Sequence, residues 1–179
     1  VVVTTPSFNE VSLVQAARSG DELAFDALVG PLIDPAFKLA VVFLRDPAEA
    51  EDAVQEACFK AWRKLDQLQP GGPLRPWFLS IVANQCRSVR RTNWWSEIRV
   101  ATFPDRSASH REDIESNLDL DSELAKLPVT DRAALFLFFY LDLPMNEIGR
   151  VLKISSQAAK SRVHRGVVKL RLSMTEVAR

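Results

Sequence analysis

The sequence predicts an all-α protein of two small helical domains joined by a flexible acidic linker. Three observations carry that prediction. Apolar residues recur at helical rather than alternating spacing almost throughout, as in Phe25, Leu28, Val29 and Leu32 at i, i+3, i+4 and i+7. Residues 100–121 break the pattern: they lack an apolar period, hold Pro104 and several serines, and carry 6 acidic against 2 basic side chains. Finally, a formal net charge of zero hides an uneven distribution, with 11 basic and 12 acidic side chains in residues 1–99 but 10 and 5 in residues 122–179. A chain of 179 residues, 47% hydrophobic and 26% charged, has room for two compact cores, read as 8–99 and 122–175.

Composition narrows the functional class. No apolar run approaches the roughly 20 residues of a bilayer span, and no signal peptide follows Val1 to Val3, so a cytoplasmic protein without membrane insertion is expected. Cys58 and Cys86 lie far apart inside helical patterns and read as structural thiols, not as a disulfide or zinc framework; redox sensing is the alternative. His110 in the linker and His164 on a basic helix have no nucleophile, base or orienting group around them. No catalytic residue, metal site or cofactor is therefore expected.

Taken in order, Asp34-Pro35 reads as an N-cap and first helical position, opening a short apolar helix through Leu39, Ala40 and Phe43 that ends near Asp46. Asp46-Pro47-Ala48-Glu49 marks the next start, with an aspartate cap and a glutamate three residues on, and predicts a long helix to about Leu68. Its stripe of Ala50, Val54, Ala57, Ala61, Leu65 and Leu68 faces a core, leaving Asp52, Gln55, Glu56, Phe59 and Arg63 elsewhere on the cylinder. Gln69-Pro-Gly-Gly-Pro73 must break the helix. From Leu74 to about Arg91 a further helix turns Leu74, Trp77, Phe78, Ile81, Val82 and Val89 inward, and sets Ser80, Asn84, Arg87 and Arg91 on a polar line. Trp77 belongs to the core on this reading, while exposed indoles at Trp94 and Trp95 could meet DNA, a partner or the linker.

The second unit starts near Ser122, where Leu124 and Leu127 precede Pro128. A very apolar helix spans Thr130 to Leu141, a third begins at Pro144 and holds Ile148, Val151 and Leu152, and a last one runs from Ser156 to about Leu172. The last two have helix-turn-helix spacing, with Lys153-Ile154-Ser155 as the turn and Ser155 or Ser156 as the cap. Such a motif lays its second helix in the major groove. There Ala159, Val163, Val167 and Leu170 fix the buried side and leave Gln157, Lys160, Ser161, His164 and Arg165 outward. Lysine and arginine can neutralise phosphates, and glutamine, serine and arginine can read base edges.

These motifs, in this order across roughly residues 10–172, resemble the extracytoplasmic-function group of the sigma-70 family. Asp46 to Trp62 is similar to region 2.2, with Asp52, Gln55, Glu56, Phe59 and Trp62 at matching positions. The resemblance implies docking of Asp52, Gln55, Glu56, Phe59 and Arg63 on the β′ clamp helices of core RNA polymerase. Trp77 to Asn84 with Arg87, Arg90 and Arg91 is similar to regions 2.3 and 2.4, which melt and read the minus-ten element. Asn84 is the candidate amide for an extruded base, the arginines take phosphates, and the Gln69–Pro73 loop stands where the family builds its base pocket. Leu127-Pro128, Glu147-Ile148, Ile154-Ser155 and Lys160 to Arg165 resemble region 4, a helix-turn-helix that reads the minus-thirty-five element and rests on the β flap. That assigns Ser156, Gln157, Lys160, Ser161, His164 and Arg165 to DNA. The linker matches the family's connector, and an anti-sigma factor is an expected partner.

The likeness has departures. Lys153 replaces the turn glycine, Gly149 stands where alanine is usual, and Ala158-Ala159 replace a threonine-valine pair. A non-glycine residue held at positive φ is strained. Two rival readings are a helix-turn-helix regulator that never touches polymerase and a sigma-like decoy for an anti-sigma protein. The decoy would lose the DNA arginines, whereas Arg87, Arg90, Arg91 and Arg165 are all present.

Overall fold

Helix α2 is the spine on which the first unit is assembled. In the computed structural model, which describes residues 8–99 and 118–177, helices α1 (Phe8–Arg18), α2 (Glu22–Leu44), α3 (Pro47–Arg63) and α4 (Leu74–Arg99) form that unit. The second comprises α5 (Leu118–Lys126), α6 (Val129–Leu135), α7 (Met145–Leu152) and α8 (Ser156–Val177). No strand occurs among the described residues, as the helical spacing requires.

Sequence reasoning divided α2 in two, and the structure corrects it. Asp34-Pro35 does not start a helix: Asp21 is the N-cap, its carboxylate accepting from the Ala24 amide at 3.0 Å, and both Pro31 and Pro35 lie inside one continuous helix. Each interior proline removes an intrahelical donor. Burial of Ala24, Phe25, Leu28 and Val29 before the prolines and Ala36, Leu39, Ala40 and Phe43 after them outweighs that cost. Asp34 instead pairs along the surface with Lys38 at 2.9 Å. The helix is also long and apolar enough, by length and composition alone, to cross a membrane, so the expectation that no such run exists is corrected too. Its apolar surface is spent on α1, α3 and α4, whose faces pack against it.

Asp46 caps α3 as expected, accepting from the Glu49 amide at 2.9 Å, but the helix ends at Arg63 and not near Leu68. Leu65–Gln67 tightens into a 3₁₀ turn that still buries Leu65 and Leu68. Arg18 donates from α1 to the Leu68 carbonyl and to the Leu65 carbonyl, which also accepts from the Leu68 amide, and so ties α1 to this turn. Helix α4 continues to Arg99, past the expected Arg91, and buries Phe78, Leu79, Val82, Ala83 and Cys86 completely. Trp77 is half-buried against the same core.

The second unit begins at Leu118, four residues before the expected Ser122, which moves the end of the linker. A helix's first turn favours acidic residues, so the excess acid read as linker does not argue against helix. Residues 100–117, with His110, lie outside the described residues, as do the Trp94 and Trp95 side chains. The apolar helix after Pro128 changes pitch: α6 passes into a π-helical turn over Phe136–Tyr140, closed by the Leu141 amide on the Phe136 carbonyl at 3.2 Å. Ala133, Ala134, Leu135 and Leu137 from this segment, Ile148 and Val151 from α7, and Ala159 and Val163 from α8 make the second core.

The two units are packed together. Helix α4 lies against α7, and α2 against α6 and the π turn.

Candidate functional site

The sequence assigns three surfaces, and the fold builds each differently. On α3, Ala50, Val54, Ala57 and Ala61 are buried, and Asp52, Gln55, Glu56, Phe59 and Arg63 are all exposed. Phe59 is 61% exposed, far more than a phenylalanine needs to be on a helix with a complete core face beneath it. Glu56 holds Lys60 at 3.2 Å, which keeps one carboxylate of the surface partly neutralised. Trp62, matched by motif, instead turns inward and packs edge-on against Phe25 with centroids 5.0 Å apart.

The second surface is on α4. Ser80, Asn84 and Arg87 are half-buried, and Arg90 and Arg91 are exposed. Asn84 and Arg87 are brought together: the guanidinium donates to Asn84 Oδ1 at 2.7 Å and reaches across to the Val151 carbonyl of α7 at 3.3 Å. It also lies over the Phe43 ring, 5.8 Å from the centroid, and burial pulls its pKa down. Asn84 is not among the residues that line the cleft beside the glycine-proline loop. The cleft beside that loop is lined by Glu10, Val11, Val14, Gln15 and Arg18 of α1 with Leu68 to Gly72.

The third surface is on α8. Ser156, Gln157, Lys160, Ser161, His164 and Arg165 are all exposed, and Ala159 and Val163 are buried, so the outward face is as expected. Of the two serines offered as cap, Ser155 is chosen, its Oγ accepting from the Ala158 amide at 3.1 Å. Lys153 holds the turn with φ 57 and ψ 47, the left-handed conformation for which glycine is favoured. Arg165 is partly committed within the fold: its Nη2 donates to Asp131 Oδ1 at 3.3 Å.

Several residues that set this geometry escaped the sequence reasoning. Asp131, 3% exposed, anchors α8 to α6 through Arg162 at 3.2 Å as well as Arg165. Arg132 donates from α6 to the Val42 carbonyl of α2 at 2.9 Å, and burial first, then Arg45 and Arg90, bring its pKa down to about 10. Lys38 donates to Tyr140 Oη at 2.5 Å. Glu147 is buried with Oε2 unpartnered, and burial raises its pKa against the opposing pull of Arg150 and Arg75. The signal available was charge inside apolar runs, since Asp131-Arg132 interrupts Val129 to Leu143. Cys86, buried, has its thiol pushed up to about 12, and burial also raises half-buried Cys58; neither has the low pKa of a reactive thiol. No cluster of three or more metal-ligating side chains occurs among the described residues.

Two family models match the chain, Sigma-70 region 2 over residues 28–96 and Sigma-70, region 4, over residues 117–170, together more than half its length. Among curated proteins it is similar to the RNA polymerase sigma factor NccH of Alcaligenes xylosoxydans xylosoxydans, 27% identical over 94% of this chain and 95% of that one. The ECF RNA polymerase sigma factor SigL of Mycobacterium tuberculosis is 28% identical over 90% and 97%. Among solved structures, CnrH in complex with the cytosolic domain of CnrY superposes with a TM-score of 0.70 at 25% identity, over 94% of this chain and 98% of that one. The sigma factor RpoE of Bartonella quintana, solved with the anti-sigma factor NepR, shares the fold with a TM-score of 0.74 at 21% identity, over 84% and 96%.

Proposed function

The chain belongs to the sigma-70 family, as a sigma factor of the extracytoplasmic-function type, and on that premise we propose how its surfaces divide the work of promoter-directed transcription. The exposed face of α3 docks on the β′ clamp helices of core RNA polymerase. Phe59 supplies the apolar anchor, and Asp52, Gln55 and Glu56 orient a partner helix bearing basic side chains. The observation that carries this is Phe59 standing 61% exposed among polar residues, above a core face already complete.

Arg87, Arg90 and Arg91 neutralise phosphates of the minus-ten strand, and Asn84 takes an unstacked base, whose capture offsets the few kcal/mol of unstacking. Helix α8 enters the major groove of the minus-thirty-five element. Lys160 and His164 lie toward phosphates, and Gln157 and Ser161 toward base edges. The second unit also rests on the β flap. A regulatory partner of the kind seen with RpoE, an anti-sigma factor, completes the reading, and the chain works in the cytoplasm without chemistry of its own.

The test is transcription by purified core polymerase on a pool of genomic fragments, with and without the chain. Chain-dependent transcripts starting at defined sites are expected, and none at all would overturn the proposal. Asp52→Ala with Gln55→Ala is expected to weaken capture of core polymerase about tenfold, roughly 1.4 kcal/mol, with helicity and melting unchanged. Equal capture by both chains would remove α3 from the docking role.

A further inference from the structure

We propose that the two units rest in a closed form in which each supplies an arginine that caps a helix C-terminus of the other, so that α7 is a lid over the minus-ten surface. The inference rests on the proposed function, because Asn84 and Arg87 are the groups covered. The last turn of a helix leaves carbonyls without intrahelical donors, and a cation is favoured there. Helix α7 ends at Leu152, and one of those open carbonyls, Val151, accepts from Arg87 of α4 at 3.3 Å. Helix α2 ends at Leu44, and one of its open carbonyls, Val42, accepts from Arg132 of α6 at 2.9 Å. The exchange is reciprocal. At the rim Lys38 of α2 donates to Tyr140 Oη at 2.5 Å and lies 5.1 Å from the centre of the ring.

The consequence for DNA follows from the donors. Arg87 spends its fork on Asn84 Oδ1 and on Val151, with its face over Phe43, so the guanidinium and the amide oxygen are engaged while the lid is down. Lifting α7 returns the Val151 carbonyl to water and frees Arg87 for a phosphate, a trade of one acceptor for another. The closed form also carries an opposing force. Arg132 feels Arg45 and Arg90, and its hydrogen-bond partners are the carbonyls of Val42, Leu124 and Ala125. Like charges therefore gather at the seam and oppose the closed form.

The test uses the full chain with Cys58→Ser, leaving the buried Cys86 as its native thiol, and fluorophores on Glu51→Cys and Lys169→Cys, both exposed positions on opposite units. Energy transfer in the otherwise unaltered free chain should report one short, narrow distance. Two loosened chains, Arg132→Gln with Tyr140→Phe and, sparing the buried arginine, Lys38→Met with Tyr140→Phe, should report longer and broader ones. Both should bind a randomised fluorescent 20-nucleotide single strand more tightly, by up to about tenfold, the factor expected if one molecule in ten is open at rest. A long, broad distance in the free parent chain overturns the lid, as does strand binding that loosening leaves unchanged. Transcription from genomic fragments separates the two ideas. A parent that transcribes but is never closed loses the lid alone, whereas one that closes and drives no transcription loses the proposed function and the lid's meaning with it.

Discussion

Lys153 and Gly149 depart from the family's usual wording, and the turn shows that the departures concern one piece of backbone. Lys153 occupies left-handed space at φ 57, where a side chain costs about 1 kcal/mol and glycine does not. A Cβ at Gly149 would stand 2.8 Å from the Ile154 carbonyl oxygen and 3.3 Å from the Ser156 nitrogen, both backbone atoms that cannot swing aside. Gly149→Ala should therefore lower stability by roughly 1–3 kcal/mol in thermal melting. Lys153→Gly should raise it slightly, and the two changes made together should fail to add, because both act on residues 153–156. Additive effects would mean the turn does not couple them. Glu147 makes a second prediction. Its carboxyl is buried with Oε2 unpartnered and its pKa is raised, so the folded chain binds its proton more tightly than the unfolded chain does. That contribution to stability is present at low pH and is lost as pH climbs from the ordinary carboxylate range through the raised value. Glu147→Gln should remove this slope and raise the melting temperature at neutral pH; a melting profile as steep as the parent's would contradict it. The sequence made the strain at Lys153 legible because one residue type and one position decide it. It hid Glu147, whose burial depends on α4 folding against it.

At the scale of elements, legibility followed the number of competing rules. The start and buried face of helix α3 and the outward face of α8 were read correctly because cap and apolar period agree: Asp46 caps, Ala50, Val54, Ala57 and Ala61 are buried, and Gln157, Lys160, Ser161, His164 and Arg165 face out. Helix α2 was misread because a strong local signal, Asp34-Pro35, opposed a tertiary one that only the assembled core reveals. The π turn at Phe136–Tyr140 was invisible for the same reason, and Tyr140, at its end, is the partner of Lys38. Helix α8 also divides its basic residues between two duties that sequence could not separate. Lys160 is exposed and has no hydrogen bond or ion pair among the described residues, so Lys160→Glu should weaken binding to a minus-thirty-five duplex and leave melting unchanged. Arg165 faces out yet holds Asp131, which Arg162 also holds. Arg165→Glu would set a carboxylate against a buried one, and should lower melting and DNA binding together. If Arg165→Glu melts as the parent does, its tie to Asp131 carries no weight in the fold.

For the molecule as a whole, the surfaces were legible one at a time, while their mutual occlusion was not, because it depends on which carbonyls each helix leaves open toward the other unit. That seam makes an unusual statement about salt. An interface tied by exposed ion pairs loosens as ionic strength rises, since screening removes the attraction within about 10 Å at 0.1 M. Here the ties named between the units run from cations to neutral oxygens, the carbonyls of Val42 and Val151 and the hydroxyl of Tyr140, and screening weakens these little. What salt does weaken is the repulsion of Arg132 by Arg45 and Arg90, the last two exposed and readily screened. Attraction between Glu147 and Arg75 pulls the other way, but Glu147 is buried and feels salt least. Raising ionic strength should therefore shorten the distance between fluorophores at positions 51 and 169 in the free chain. Neutral osmolyte at equal osmotic strength should not reproduce the shift if charge screening is its cause. A distance that lengthens with salt would mean that ion pairs, not capped carbonyls, hold the units together.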